Sequence, residues 1–273
     1  MRDPNATTPA AAGPAILQPD RPAISVPLLL GAMAAIAVAL LTLPPLVVFA
    51  LIEVMIFALF ASAFNLLLGY AGLLSLGHAA FFGTAGYVAG YALKHWSITP
   101  ELGLLLATAW SAFLGWVFGS LAIRRKGIYF AMVTLALAQM VSFFCLHAPF
   151  TGGEDGLQGV PRGKLFGLID LRNDMVMYYV VAAIFAAGFW FVLRVIHSPF
   201  GQVLKAIREN EPRALSLGYD VDRYKLIAFV LSAALAGLAG ATKTLVLGFA
   251  TLTDVHWATS GEVVLMTLVG GVG

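Results

Sequence analysis

Charge is scarce in this 273-residue chain. Lys and Arg together number 16 and Asp and Glu 14, so charged residues make up 11% of the sequence against 60% hydrophobic ones. A soluble domain carries about a quarter of its residues as charges. This composition, with a mean hydropathy of +0.89, excludes one and points to a bilayer. Cysteine occurs once, as Cys145 in an apolar run, which excludes an intramolecular disulfide and a cysteine-built metal cluster. The glycines of TGGEDG at 151–156 lack the Lys-Ser/Thr pair that closes a phosphate-binding loop, so the chain shows no means of binding ATP itself. Ser75 and His78 share one segment, but no acid is placed with them and no nucleophile elbow surrounds Ser75, which argues against hydrolase chemistry. A net charge of +2 and a pI near 8.7 do not indicate nucleic acid, because the Lys and Arg residues sit in short loops beside apolar runs.

What is present is a series of apolar runs. Residues 1–25 are rich in Ala, Pro, Asn and Thr and read as a disordered cytoplasmic tail. They are followed by repeated spans rather than by the one short run and cleavage site of a signal peptide. A helix needs roughly 20 apolar residues to cross the hydrocarbon. The candidates are 26–43, 46–68, 73–93, 102–123, 128–147, 175–196 and 226–248, with a further start at Gly261 that the chain's last residues leave as the middle of an element. Pro44 and Pro45 have no amide hydrogen to donate and force a turn after the first span. The expected fold is all-α, a polytopic transmembrane helical bundle over 26–273 with a discontinuous helix near Gly69 to Gly77.

With the N-terminus in the cytoplasm, the inner segments carry Arg2, Arg21, Arg124, Arg125, Lys126, Arg194, Lys205, Arg208, Arg213, Arg223 and Lys225. The outer ones carry only Lys94, Arg162, Lys164 and Arg172. The positive-inside rule therefore puts the charged block 198–225 in the cytoplasm and the loop 148–174 outside. That loop is dense in Gly, holds Pro149 and Pro161, and is expected to form neither a helix nor a strand of any length. Two readings of it stand: a solvated connection, or a surface that meets an external partner or caps a central cavity.

Polar and small residues concentrate between two spans. Gly77, Gly83, Gly86 and Gly90 include spacings of three and four, which permit close helix packing in lipid. Gly69 and Gly72 can let the helix unwind where protein or water satisfies the freed backbone, as at transporter substrate sites. Asn65, Gly69, Gly72, Ser75, Gly77 and His78 are the candidate substrate pathway. His78 and Asn65 each allow two readings, a ligand or proton-handling group, or a packed side chain with one hydrogen bond. Glu53 and Lys243 are costly in lipid, so each is expected to face protein or water or to lie near an interface.

Within 198–225, Val203, Leu204 and Ile207 recur at helical spacing. Pro212 suits the first turn of a second short helix and Gly218 its end. Ala214, Leu215 and Leu217 give a small apolar surface, and Asp220 or Asp222 is placed to cap the helix that follows. The block is either a membrane-surface loop with snorkelling charges or a coupling hairpin that docks on an ATPase subunit.

Five stretches, in order, resemble the LivM/LivH family, the membrane subunits of branched-chain amino acid ATP-binding-cassette importers. They are NLLLGYAGLLSLGHAAFFGTAGY at 65–87, RRKGIYFAMVTLALAQM at 124–140, TGGEDGL at 151–157, the segment 198–241, and MTLVGGVG at 266–273. The RRKGIYFAM and TGG stretches are closer to the LivM branch. The resemblance implies that 198–225 is an EAA-type coupling region, carried onto Glu211, Ala214 and Gly218, with Ile207, Arg208 and Glu209 in the preceding helix. Pro212 and Arg213 stand where the general importer motif has small residues.

It implies a second LivH-type permease subunit, two ATP-binding subunits that use ATP and Mg, an extracytoplasmic substrate-binding protein, no cofactor on this chain, and the bacterial inner membrane. The cargo it implies is branched-chain or other hydrophobic amino acids, with urea or short amides as an alternative. Two other classes compete. An ion-coupled secondary transporter would use His78, Glu53 and Lys243, and a scaffold or channel would need no ATPase.

Overall fold

A computed structural model describes residues 45–167 and 169–272. The expected tail 1–25, the span 26–43 and the turn at Pro44 lie outside the described residues. The chain runs through α1 (Pro45–Asn65), α2 (His78–His95), α3 (Pro100–Ala122), α4 (Ile128–His147), α5 (Asp174–Ile196), the short pair α6 (Pro199–Glu209) and α7 (Glu211–Ser216), then α8 (Val221–Leu247) and α9 (Trp257–Gly270). Among the described residues, five segments are long and apolar enough to cross a membrane: Val47–Tyr70, Pro100–Ala122, Ile128–His147, Asp174–Ile196 and Val221–Leu247. The polytopic helical bundle expected from the sequence is the observed architecture. We call its two ends the hairpin end, at α6 and α7, and the loop end, at 148–174.

Lipid tails are as apolar as Leu, so helices in a bilayer associate by close contact and interhelical hydrogen bonds rather than by hydrophobic burial. The core obeys this rule. α8 packs against α2 and α3 through small residues, and a Cβ on Gly240 would collide with the carbonyl oxygen of Phe82. Phe60, Phe64, Phe81, Phe82, Phe130 and Phe229 fill the space around this seam and are fully buried. α3 by contrast turns Leu102, Leu105, Leu106, Trp110, Phe113 and Trp116 outward, a face that hydrocarbon or another membrane helix can solvate.

The sequence reading misplaces one span. A helix was expected over 73–93, but α1 continues through a π turn at Leu66–Tyr70 to Ala71, and residues 72–77 are non-helical before α2 starts at His78. Gly72 makes the reversal at φ +69°, where a side chain would be strained. The last helix begins at Trp257, ahead of the expected start at Gly261.

At the loop end, Leu157–Gln158 pairs antiparallel with Phe249–Ala250, and Lys164–Leu165 pairs with Ile169–Asp170. Arg162 donates to the Val246 carbonyl and to Asp174, each at 2.8 Å, which fastens the loop to the end of α8. The loop thus has two-residue strands and short 3-10 turns, in line with the expectation of no extended element.

Candidate functional site

The break after α1 creates the first candidate site. Residues 72–77 turn back into the bundle, so α2 starts beside Ser232, the twelfth residue of α8 and about 16 Å along that helix. The freed backbone is satisfied by side chains, two of them from distant helices. Leu76 N–H donates to Thr134 Oγ1 at 3.2 Å, and Gly77 N–H to Ser75 Oγ at 3.3 Å. Ala79 N–H donates to Ser260 Oγ at 2.9 Å. A Cβ on Gly77 would sit 2.8 Å from the Thr134 carbonyl oxygen, so this close approach requires glycine.

His78 is fully buried with its ring edge-on to Phe64, Phe81 and Phe229. Its Nε2 is 2.9 Å from Ser232 Oγ, and Ser232 Oγ donates to the Ala63 carbonyl at 2.6 Å. A hydroxyl has one proton to give. Ser232 spends it on Ala63, so it must accept from His78 Nε2–H, leaving Nδ1 as a lone pair without a hydrogen-bond partner. The relay ties α2, α8 and α1 at one depth. Of the six candidate pathway residues, Ser75, Gly77 and His78 meet around this point, whereas Gly69 and Gly72 lie at the hairpin end. Asn65 ends α1, immediately before the π turn.

The hairpin is the second site. Ser198, Asn210 and Asp220 cap α6, α7 and α8, each side chain accepting from the amide three residues on. Ile207 and Ala214 are buried against Val221, so these two candidate residues hold the hairpin together from inside. Arg208, Glu209 and Gly218 are exposed. Leu215 and Leu217 project outward, 54% and 68% exposed.

Glu211 has two partners: Lys126 Nζ at 2.9 Å, from the α3–α4 connection, and Lys225 Nζ at 3.1 Å, from α8. Partial burial pushes its carboxyl up, but the hydrogen bonds from the two ammonium groups outweigh that and hold it below the usual carboxylate range. A cleft of about 300 Å³ beside it is lined by Arg124, Lys126, Glu211, Leu215, Asp220 and Asp222.

The third feature answers an expectation about Lys243. Its ammonium is 2.6 Å from Asp254 Oδ1 and lies over the rings of Phe57 and Phe82. Glu53 remains exposed on α1 and lines a small hollow with Lys243. Sequence reasoning missed Thr134, Ser232, Ser260 and Asp254, and it saw Lys126 and Lys225 only as inner charges. Hydroxyl residues at membrane depth were the available signal for the first three. Among the described residues, no group of three or more His, Cys, Asp or Glu is arranged to hold a metal.

The profile of the branched-chain amino acid transport system / permease component family matches residues 46–273. The chain is 30% identical over 247 residues to the high-affinity branched-chain amino acid transport system permease protein LivM of Escherichia coli K12, covering 80% of this chain and 57% of that protein. The LivM protein of Salmonella typhimurium matches to the same extent. A probable branched-chain amino acid transport permease protein LivH of Methanocaldococcus jannaschii is 25% identical over 164 residues, covering 56% of this chain and 51% of that protein. The chain thus spans little more than half the length of the relatives it matches. No solved structure matches it. A multi-pass bundle with a broken helix and an anchored polar hairpin, matched by one family profile from the start of α1 to the last residue, is a member of the branched-chain amino acid transport permease family.

Proposed function

We propose that this chain is a permease subunit of an ATP-driven importer that moves branched-chain or other hydrophobic amino acids inward. The hairpin end faces the cytoplasm, as the distribution of Lys and Arg favours, and receives two ATP-binding subunits that hydrolyse ATP with Mg. A LivH-type subunit completes the membrane pair, and a substrate-binding protein delivers cargo to the loop end. The chain makes and breaks no bond in the cargo. Its residues serve to bind, orient and move.

The observation that carries this reading is the anchored hairpin. It offers exposed Leu215 and Leu217 to the aqueous phase while Glu211 ties its second helix to the α3–α4 connection and to α8. A partner that moves the hairpin therefore moves the membrane helices, which is the reciprocal coupling an ATP-driven cycle needs.

The test is uptake of labelled leucine by vesicles holding the full-length protein and its partners. Uptake that requires hydrolysable ATP and survives collapse of the proton gradient is expected. Uptake driven by the gradient without ATP would overturn the proposal, and competition by urea rather than leucine would overturn the cargo.

A further inference from the structure

Two features that the sequence presents separately, the broken helix and the charged hairpin, touch. α6 buries Ile207 against Ala214 and Val221 and turns Lys205 and Arg208, one helical turn apart, toward the π turn. The guanidinium of Arg208 donates from Nη1 to the carbonyl oxygen of Gly69, the fourth residue of that turn. The stem of Arg208 fills the space a side chain on Gly72 would take, with its Cγ 3.2 Å from that position. Lys205 places its ammonium 5.5 Å from the centre of the Tyr70 ring.

The physical reason is the end of a helix. The carbonyl end of a helix is the negative pole of its dipole, which favours cations. Ala71 and Leu73 both donate to the Leu67 carbonyl, so the backbone closes part of this end by itself. Arg208 closes it at Gly69 from the hairpin.

We propose that Arg208 is a positioning residue that transmits movement of the hairpin to the broken helix. This inference rests on the transport reading above. Displacing α6 must either carry the Gly69 carbonyl with it or break the bond. A π turn closes i→i+5 hydrogen bonds in place of i→i+4 and is uncommon outside functional sites. Pulling on Gly69 therefore shifts residues 72–77, and with them the Leu76 and Ala79 amides held by Thr134 and Ser260.

The experiment compares wild type, R208M and R208K in the full transporter in vesicles, reading leucine imported per ATP hydrolysed. R208M keeps the stem against Gly72 and removes the donor. It is expected to lower the ratio roughly tenfold or more, the scale of losing one charge-assisted hydrogen bond. R208K, which can still donate to the Gly69 carbonyl, is expected to recover most of it. An unchanged ratio in R208M overturns the proposal. So does R208M's failure to assemble with the ATP-binding subunits, which would place Arg208 in the docking surface instead.

A second readout needs no transport. In the purified permease, R208M is expected to speed amide hydrogen exchange across residues 66–73 with little change across α3, and an unchanged rate at 66–73 overturns the link. Wild-type vesicles without ATP-driven uptake would overturn the transport reading instead, leaving the exchange result to judge the contact.

Discussion

Ser232 does two jobs with one hydroxyl, accepting from His78 and donating to Ala63. S232A therefore leaves the buried His78 Nε2–H without its partner and takes a second donor from the helical Ala63 carbonyl, and a buried donor left unpaired costs about 1–3 kcal/mol. The expected outcome is a clear fall in the thermal midpoint of the detergent-solubilised protein; an unchanged midpoint would show that the relay contributes nothing. Glu211 lends itself to a pH test. Its folded carboxyl titrates below the ordinary range, so the stability it contributes is present above that range and drains away as the pH falls through the lowered value. Lys126 and Lys225 face this carboxylate, and Asp220 and Asp222 line the cleft beside it. Limited proteolysis of the hairpin should therefore accelerate in acid in the wild type, whereas E211Q should be cut faster already at neutral pH and show a smaller acid response.

At the scale of elements, the seam between α8 and α2 depends on Gly240. G240V drives a branched side chain into the Phe82 carbonyl, and overpacking of this kind costs about 1–3 kcal/mol. A lowered thermal midpoint with unaltered membrane insertion is the expected result. Much of the element pattern was legible in the sequence because it is locally determined. Pro212, Gly218 and Asp220 mark the limits of α7 and the start of α8 where turn and cap chemistry place them. The late start of α2 was not legible. Leu73, Leu74 and Leu76 are as apolar as any helix interior. What keeps them non-helical comes from Thr134 and from the turn at Gly72, 58 residues apart in the first case from the amide it meets. Glu211 was legible as a hairpin residue but not as an anchor, because Lys126 belongs to another connection.

For the whole molecule, the outward leucines of the hairpin and the inward carboxylate divide docking from anchoring. Replacing both Leu215 and Leu217 by Asp should cut co-purification of the ATP-binding subunits without lowering the thermal midpoint of the permease, since neither side chain is buried. Equal recovery of those subunits would assign docking to another surface. The pairing of Lys243 with Asp254 has an electrical consequence. A single charge crossing the membrane field changes energy by about 2.3 kcal/mol per 100 mV. Here a positive and a negative charge lie 2.6 Å apart on segments that enter and leave the loop end together. Displacement of the pair as a unit carries no net charge through the field. The membrane potential thus does no net work on this pair when it moves as a unit.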